Sequence, residues 1–173
     1  LGVGFLAATS GETGPERLRF QRVATPSGSW SILTAGAGEP VLLIHGLGAD
    51  LHIWDSDVAV FARHHRVLRP DVRGFGASDK PPGPYSPALF ARDLDGLFDA
   101  CGVENAHVLG ISMGGVIAQR LGLDFPARLR SLVLVSTSSE VGQKSVAAWQ
   151  RLAERIERDG FDGTRLDAFP AAR

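Results

Sequence analysis

The chain has 173 residues, of which 44% are hydrophobic and 21% charged, and its formal net charge is −1. That length fits a single domain with a sizeable core, and the near-neutral balance excludes an electrostatic case for nucleic acid or an anionic membrane surface. A single cysteine, Cys101, excludes an intramolecular disulfide and fits a reducing, cytoplasmic compartment, and no apolar run reaches the length that crosses a bilayer.

Residues 1–17 are a Gly/Thr/Glu/Pro-rich lead-in expected to be frayed, with Leu1–Ala8 lacking the basic start of a signal peptide. Met113 is the only methionine, so the chain is expected to be either processed or a fragment. Leu18–Val23 and Trp30–Thr34 read as strands joined by the turn Pro26-Ser27-Gly28-Ser29, an antiparallel hairpin. Pro40 then opens Val41-Leu42-Leu43-Ile44, a continuous apolar run of the kind buried on both faces of a parallel sheet. Val67-Leu68, His107-Val108-Leu109 and Leu132-Val133-Leu134-Val135 read as further strands of the same sort.

Helices fall between these strands. Ser86-Pro87 pairs an N-capping serine with proline at the first helical position. Phe90, Leu94, Leu97, Phe98 and Cys101 follow at helical spacing, and Gly102 closes the helix. The alternation predicts an α/β fold with a mostly parallel, doubly wound sheet. After the last strand, Val146, Trp149, Leu152, Ala153 and Ile156 form a second apolar stripe, opposite a solvated face of Arg151, Glu154, Arg155 and Arg158. The expected organisation is the lead-in, a core over residues 18–139 and a separate helical segment over 140–173.

The chemistry is concentrated at Gly110-Ile111-Ser112-Met113-Gly114. A strand runs into this G-x-S-x-G and a helix, from Val116 to Leu121, runs out of it, which is the setting of a nucleophile elbow. Gly110 and Gly114 permit close packing around a strained turn, and Gly115 lets the helix sit against the strand. Serine becomes a useful nucleophile only when a base takes its proton and donors stabilise the oxyanion. The backbone N–H of Met113 is one candidate donor. The second is the N–H of Leu47, in His45-Gly46-Leu47-Gly48, the loop after the buried strand.

All five histidines, His45, His52, His64, His65 and His107, precede Ser112. His45 is read as shaping the oxyanion loop through local hydrogen bonds, His64 and His65 as surface residues at a helix end, and His52 and His107, with no carboxylate at a telling spacing, are assigned no role. No His/Asp/Glu cluster has metal-ligand spacing. A competing reading is a dinucleotide-binding turn: Gly46-Leu47-Gly48-Ala49-Asp50-Leu51 follows a strand, and Asp71 ends the next one. Leu51 stands where that turn needs a third small residue, and the reading leaves Ser112 unexplained.

His45-Gly46-Leu47-Gly48, Asp71-Val72-Arg73-Gly74-Phe75-Gly76-Ala77-Ser78 and Gly110-Ile111-Ser112-Met113-Gly114-Gly115 together resemble, in order and spacing, the N-terminal two-thirds of an α/β-hydrolase-fold enzyme. Asp71–Tyr85 and Leu132–Thr137 are most similar to β-ketoadipate enol-lactone hydrolases. Esterases, carbon–carbon bond hydrolases and cofactor-free haloperoxidases share most of these motifs, whereas haloalkane dehalogenases carry aspartate at the position of Ser112.

The resemblance implies Ser112 as nucleophile and Leu47 and Met113 as oxyanion donors. The substrate would be a small ester, enol-lactone or related compound, with no cofactor. Arg73 would anchor the Asp71–Ser78 loop, a helical cap would begin after Val135, and Trp54 and Trp149 are candidates to line the pocket, with a packed aromatic the equal alternative for Trp54. The family carries its acid and then its histidine on later strands, and no residue after Ser112 is histidine. Glu140 is the first candidate for the acid, ahead of Asp162 and Asp167. The expectation is therefore a truncated, inactive core with an uncovered, association-prone edge. The alternative is a catalytically silent binding domain that kept the elbow.

Overall fold

The computed structural model describes residues 18–140 together with 146, 147, 150, 151, 154 and 158. The chain divides into two compact units, Leu1–Ser138 and Ser139–Arg173. The expected lead-in over residues 1–17 lies outside the described residues, as do Trp149, Leu152, Ala153, Ile156, Asp162 and Asp167. In the second unit Val146, Ala147, Gln150, Arg151, Glu154 and Arg158 are helical.

The first unit is built on a six-stranded sheet. Its strands are β1 (Arg19–Thr25), β2 (Gly28–Ala35), β3 (Glu39–Ile44), β4 (His65–Pro70), β5 (Ala106–Ile111) and β6 (Leu129–Val135), in the spatial order β1-β2-β4-β3-β5-β6. The pairs β4–β3, β3–β5 and β5–β6 are parallel, and β1–β2 and β2–β4 are antiparallel. The hairpin reading holds, with a tighter turn: Thr25 pairs with Gly28, so only Pro26 and Ser27 lie between the strands.

Three α-helices flank the sheet: α1 (Asp55–Phe61), α2 (Pro87–Ala100) and α3 (Met113–Asp124). α2 starts where its sequence signals place it, since the Ser86 hydroxyl accepts the Leu89 N–H at 3.2 Å and Pro87 needs no acceptor. Its stripe is buried as expected: Phe90, Leu94, Leu97 and Phe98 fall in the core and Cys101 packs against it. Burial pushes the Cys101 thiol above its ordinary range, which fits a small core residue.

The continuous apolar run of β3 is explained by two cores. Leu42 and Ile44 join the larger core, with residues of α2 and α3. Val41 and Leu43 point the other way, into a cluster with Trp54, Val58, Ala62 and Val67. All four are essentially inaccessible. The same reading fails for β6, where Leu132, Val133, Leu134 and Val135 are 37–47% exposed. Among the described residues β6 pairs with β5 alone and ends the sheet, so its apolar faces are only partly covered.

Candidate active site

Strand register brings two loops together. β3 and β5 are parallel neighbours, and Ile44 pairs with Gly110. The residues just beyond these strands, His45-Gly46 and Ile111-Ser112, therefore emerge side by side at the same end of the sheet. A Cβ built on Gly46 would lie 3.4 Å from the Ser112 Cβ and 4.0 Å from its hydroxyl oxygen. The Gly46 backbone thus lies directly beside the serine, close enough that a methyl group there would be in van der Waals contact with it.

Ser112 joins β5 to α3 in a conformation L-residues rarely adopt, with φ 52° and ψ −118°. Strain of this kind costs on the order of 1–3 kcal/mol and persists only where its surroundings enforce it. They do so here. A Cβ at Gly110 would overlap the Gly114 carbonyl, and one at Gly114 would overlap the carbonyls of Ile44 and His45. The Ser112 N–H donates to the Val135 carbonyl at 2.9 Å, and the Ser112 carbonyl accepts the N–H groups of Gly115 and Val116 in the first turn of α3. Ser112 is left exposed, with the N-terminus of α3 immediately behind it. Met113 turns its side chain into the larger core, while Leu47 is 51% exposed.

Gly115 has a different basis from the one its sequence context implies. A Cβ there would meet Thr137, at 2.5–2.7 Å from Cγ2, Cβ and Oγ1. The missing side chain makes room for Thr137, whose hydroxyl donates to the Ser112 carbonyl at 2.8 Å. Neither Thr137 nor this contact was legible in the local pattern; a second consecutive glycine after the elbow is the one sequence signal of a close approach.

The loop that faces Ser112 is held by buried polar groups. His45 is fully buried; its Nδ1 lies 2.8 Å from the Gly46 carbonyl and its Nε2 accepts the Val72 N–H at 3.1 Å. That pairing requires the neutral tautomer with the proton on Nδ1. Burial holds the ring below its ordinary pKa, with Gly46 and the Asp71 and Asp50 carboxylates opposing it. With both nitrogens engaged, His45 is not a base for Ser112. Next to it, the buried Asp71 accepts the N–H groups of Leu51 and Ala77, each at 2.8 Å. An Asp71 spent on two backbone donors is not open to a ribose, and the Gly46–Leu51 stretch leads into a short 3-10 turn, Leu51–Trp54, rather than a phosphate-capping helix. The dinucleotide reading is corrected accordingly.

The remaining histidines depart from the sequence reading. His52 and His107 both have carboxylate partners, Asp55 at 3.0 Å and Glu39 at 3.3 Å. His65 opens β4, half-buried against the His107 ring, instead of ending a helix. His65 and His107 sit at the N-terminal ends of β4 and β5, the opposite end of the sheet from Ser112. Among the described residues, none of the five histidines hydrogen-bonds the Ser112 hydroxyl.

Arg73 makes a two-pronged ion pair with the buried Asp93, both contacts 2.6 Å, and stacks over Trp30. Trp54 belongs to the smaller core and is 8% exposed. Glu140 is exposed at the start of the second unit. No group of three or more His, Cys, Asp or Glu among the described residues is placed to hold a metal ion, and no helix there is long and apolar enough to cross a membrane.

Comparison with known proteins bears on the fold and the family. The chain is similar to 3-oxoadipate enol-lactonase 2 of Acinetobacter baylyi, at 34% identity over 126 residues, covering 72% of this chain and 46% of that protein. It is similar to 2-hydroxy-6-oxo-2,4-heptadienoate hydrolase of Pseudomonas putida, at 36% identity over 121 residues, covering 66% and 44%. The structure of the enol-lactonase from Burkholderia xenovorans superposes with a TM-score of 0.76 at 30% identity, over 81% of this chain and 55% of that one. The chain thus spans less than half the length of these two relatives. Residues 39–172 match the family described as alpha/beta hydrolase fold, and the chain belongs to that family.

Proposed function

We propose that this chain carries the nucleophile and the oxyanion loop of a serine hydrolase, acting on a small ester, an enol-lactone or a related substrate through an acyl-enzyme at Ser112. The observation that carries the reading is the strained, exposed Ser112 beside the Gly46 backbone. In the proposed reaction the Ser112 Oγ attacks the substrate carbonyl carbon as a base removes its proton. The carbonyl oxygen becomes an oxyanion between the N–H groups of Leu47 and Met113, and the leaving oxygen departs with a proton. One such donor is worth about 3 kcal/mol of barrier. Water then cleaves the acyl-enzyme. The similarity to an enol-lactonase supports the choice of a cyclic enol ester, and the single thiol supports a reducing, cytoplasmic setting.

The 173-residue polypeptide by itself is proposed to turn over little substrate, because both nitrogens of His45 are occupied and no other histidine reaches Ser112. A fluorophosphonate probe tests both halves of the proposal. Slow labelling confined to Ser112, accelerated by added imidazole, is the expected outcome. Rapid stoichiometric labelling without imidazole overturns the missing base, and labelling that survives Ser112→Ala overturns the nucleophile.

A further inference from the structure

We propose that Thr137 is a positioning residue that clamps the Ser112 peptide and so fixes the direction in which the serine oxygen leaves the elbow. Both backbone groups of Ser112 are tied to the end of β6 and the residues just past it: its N–H to the Val135 carbonyl at 2.9 Å, its carbonyl to the Thr137 hydroxyl at 2.8 Å. The carbonyl already accepts the Gly115 and Val116 N–H groups at 3.0 and 3.2 Å, so Thr137 is not needed to satisfy it. What a third donor adds, arriving from a different element, is orientation.

Three further features build the clamp. Ser136 takes a left-handed conformation, φ 47°, that turns the chain back toward the elbow after β6 ends. Gly115 provides the socket, since any side chain there would collide with Thr137. Gln119, one turn along α3, donates to the carbonyls of Gly115 and Ser138 at 3.3 and 3.2 Å, fastening the residue beyond Thr137 to the same helix. A left-handed residue, a glycine socket and a side-chain tie thus converge on one hydroxyl. Reactivity depends on placement within about 1 Å, and the peptide so clamped carries the attacking atom.

The inference rests on Ser112 being the nucleophile, and a cysteine reporter separates the two claims without needing a base. In a Cys101→Ala background, Ser112→Cys puts a thiol at the N-terminus of α3, where its pKa should fall below the ordinary value of about 8.5. Iodoacetamide alkylation against pH reads that pKa. Adding Thr137→Val, which keeps the shape and removes the hydroxyl, should raise it by about one unit, making alkylation near pH 7 about threefold slower once the greater nucleophilicity of the more basic thiolate is included. Thr137→Ser should restore the parent profile. Near-UV circular dichroism checks folding, and Thr137→Ala replaces Thr137→Val should the latter unfold. An unchanged profile in the valine variant, or a serine variant that behaves like valine, overturns the clamp. A parent reporter that titrates as an ordinary cysteine overturns the nucleophile reading and the clamp with it.

Discussion

His45 and Val72 meet across two loops: the buried imidazole Nε2 accepts the Val72 N–H at 3.1 Å, while the same ring's Nδ1 faces the Gly46 carbonyl. One neutral ring thereby ties the loop that faces Ser112 to the loop that follows β4. Protonation would place an N–H against the Val72 N–H and bury a charge. The consequences are therefore readable as pH dependence.

The His45 pKa is depressed in the folded chain relative to its ordinary value of 6.5, so between the two values the unfolded state binds more protons. Stability from this ring is fully present above about 6.5 and is lost as pH falls through the folded value. Urea midpoints should drop on acidification from pH 7 toward pH 5. His45→Asn should lower the midpoint at pH 7 and flatten the slope in that window. An equally steep slope in the variant would assign the effect to another group.

Arg73 and Asp93 form a pair whose side chains are 9% and 4% exposed. Removing one charge leaves the other buried and unpaired, so Asp93→Asn should cost about 3–5 kcal/mol. The double variant Arg73→Met, Asp93→Leu should be more stable than either single variant. Chemical denaturation of the four proteins measures this cycle, and strictly additive losses would contradict it.

Relief of the elbow strain should stabilise the chain. Ser112→Gly suits φ 52° and should raise stability by about 1 kcal/mol, whereas Ser112→Ala, which keeps the Cβ, should leave it nearly unchanged. Both should lose fluorophosphonate labelling. A glycine variant no more stable than alanine would show that the turn is not strained.

β6 presents Leu132, Val133, Leu134 and Val135 at a sheet edge, with β5 as its single strand neighbour among the described residues. Such an edge is a template for pairing between chains. The isolated polypeptide should self-associate as its concentration rises, by light scattering or sedimentation. Val133→Lys should reduce that association, and a monodisperse monomer at high concentration would refute the expectation.

Much of the fold was legible because it is specified locally. Ser86-Pro87 marks a helix start by a side-chain acceptor and a missing donor, and the β3 run marks a strand buried on both faces. The elbow was legible for the same reason: a turn that crowds its own backbone demands glycine at fixed offsets from Ser112. The misread residues are those whose environment is set at a distance. His107 finds Glu39 only because β3 and β5 pair in register, and His65 opens β4 against the His107 ring for the same reason. The exposure of β6 is likewise set by what covers it, since Leu-Val-Leu-Val reads the same at a centre or an edge.

The sequence by itself determined the class of fold, the place of Ser112 between a strand and a helix, and the absence of any histidine after it. Only the tertiary structure decided that His45 is locked as a neutral ring and that Thr137 reaches the Ser112 carbonyl. Both depend on strand register and on two loops meeting in space, and hydrogen bonds made over such separations leave no periodicity in the chain.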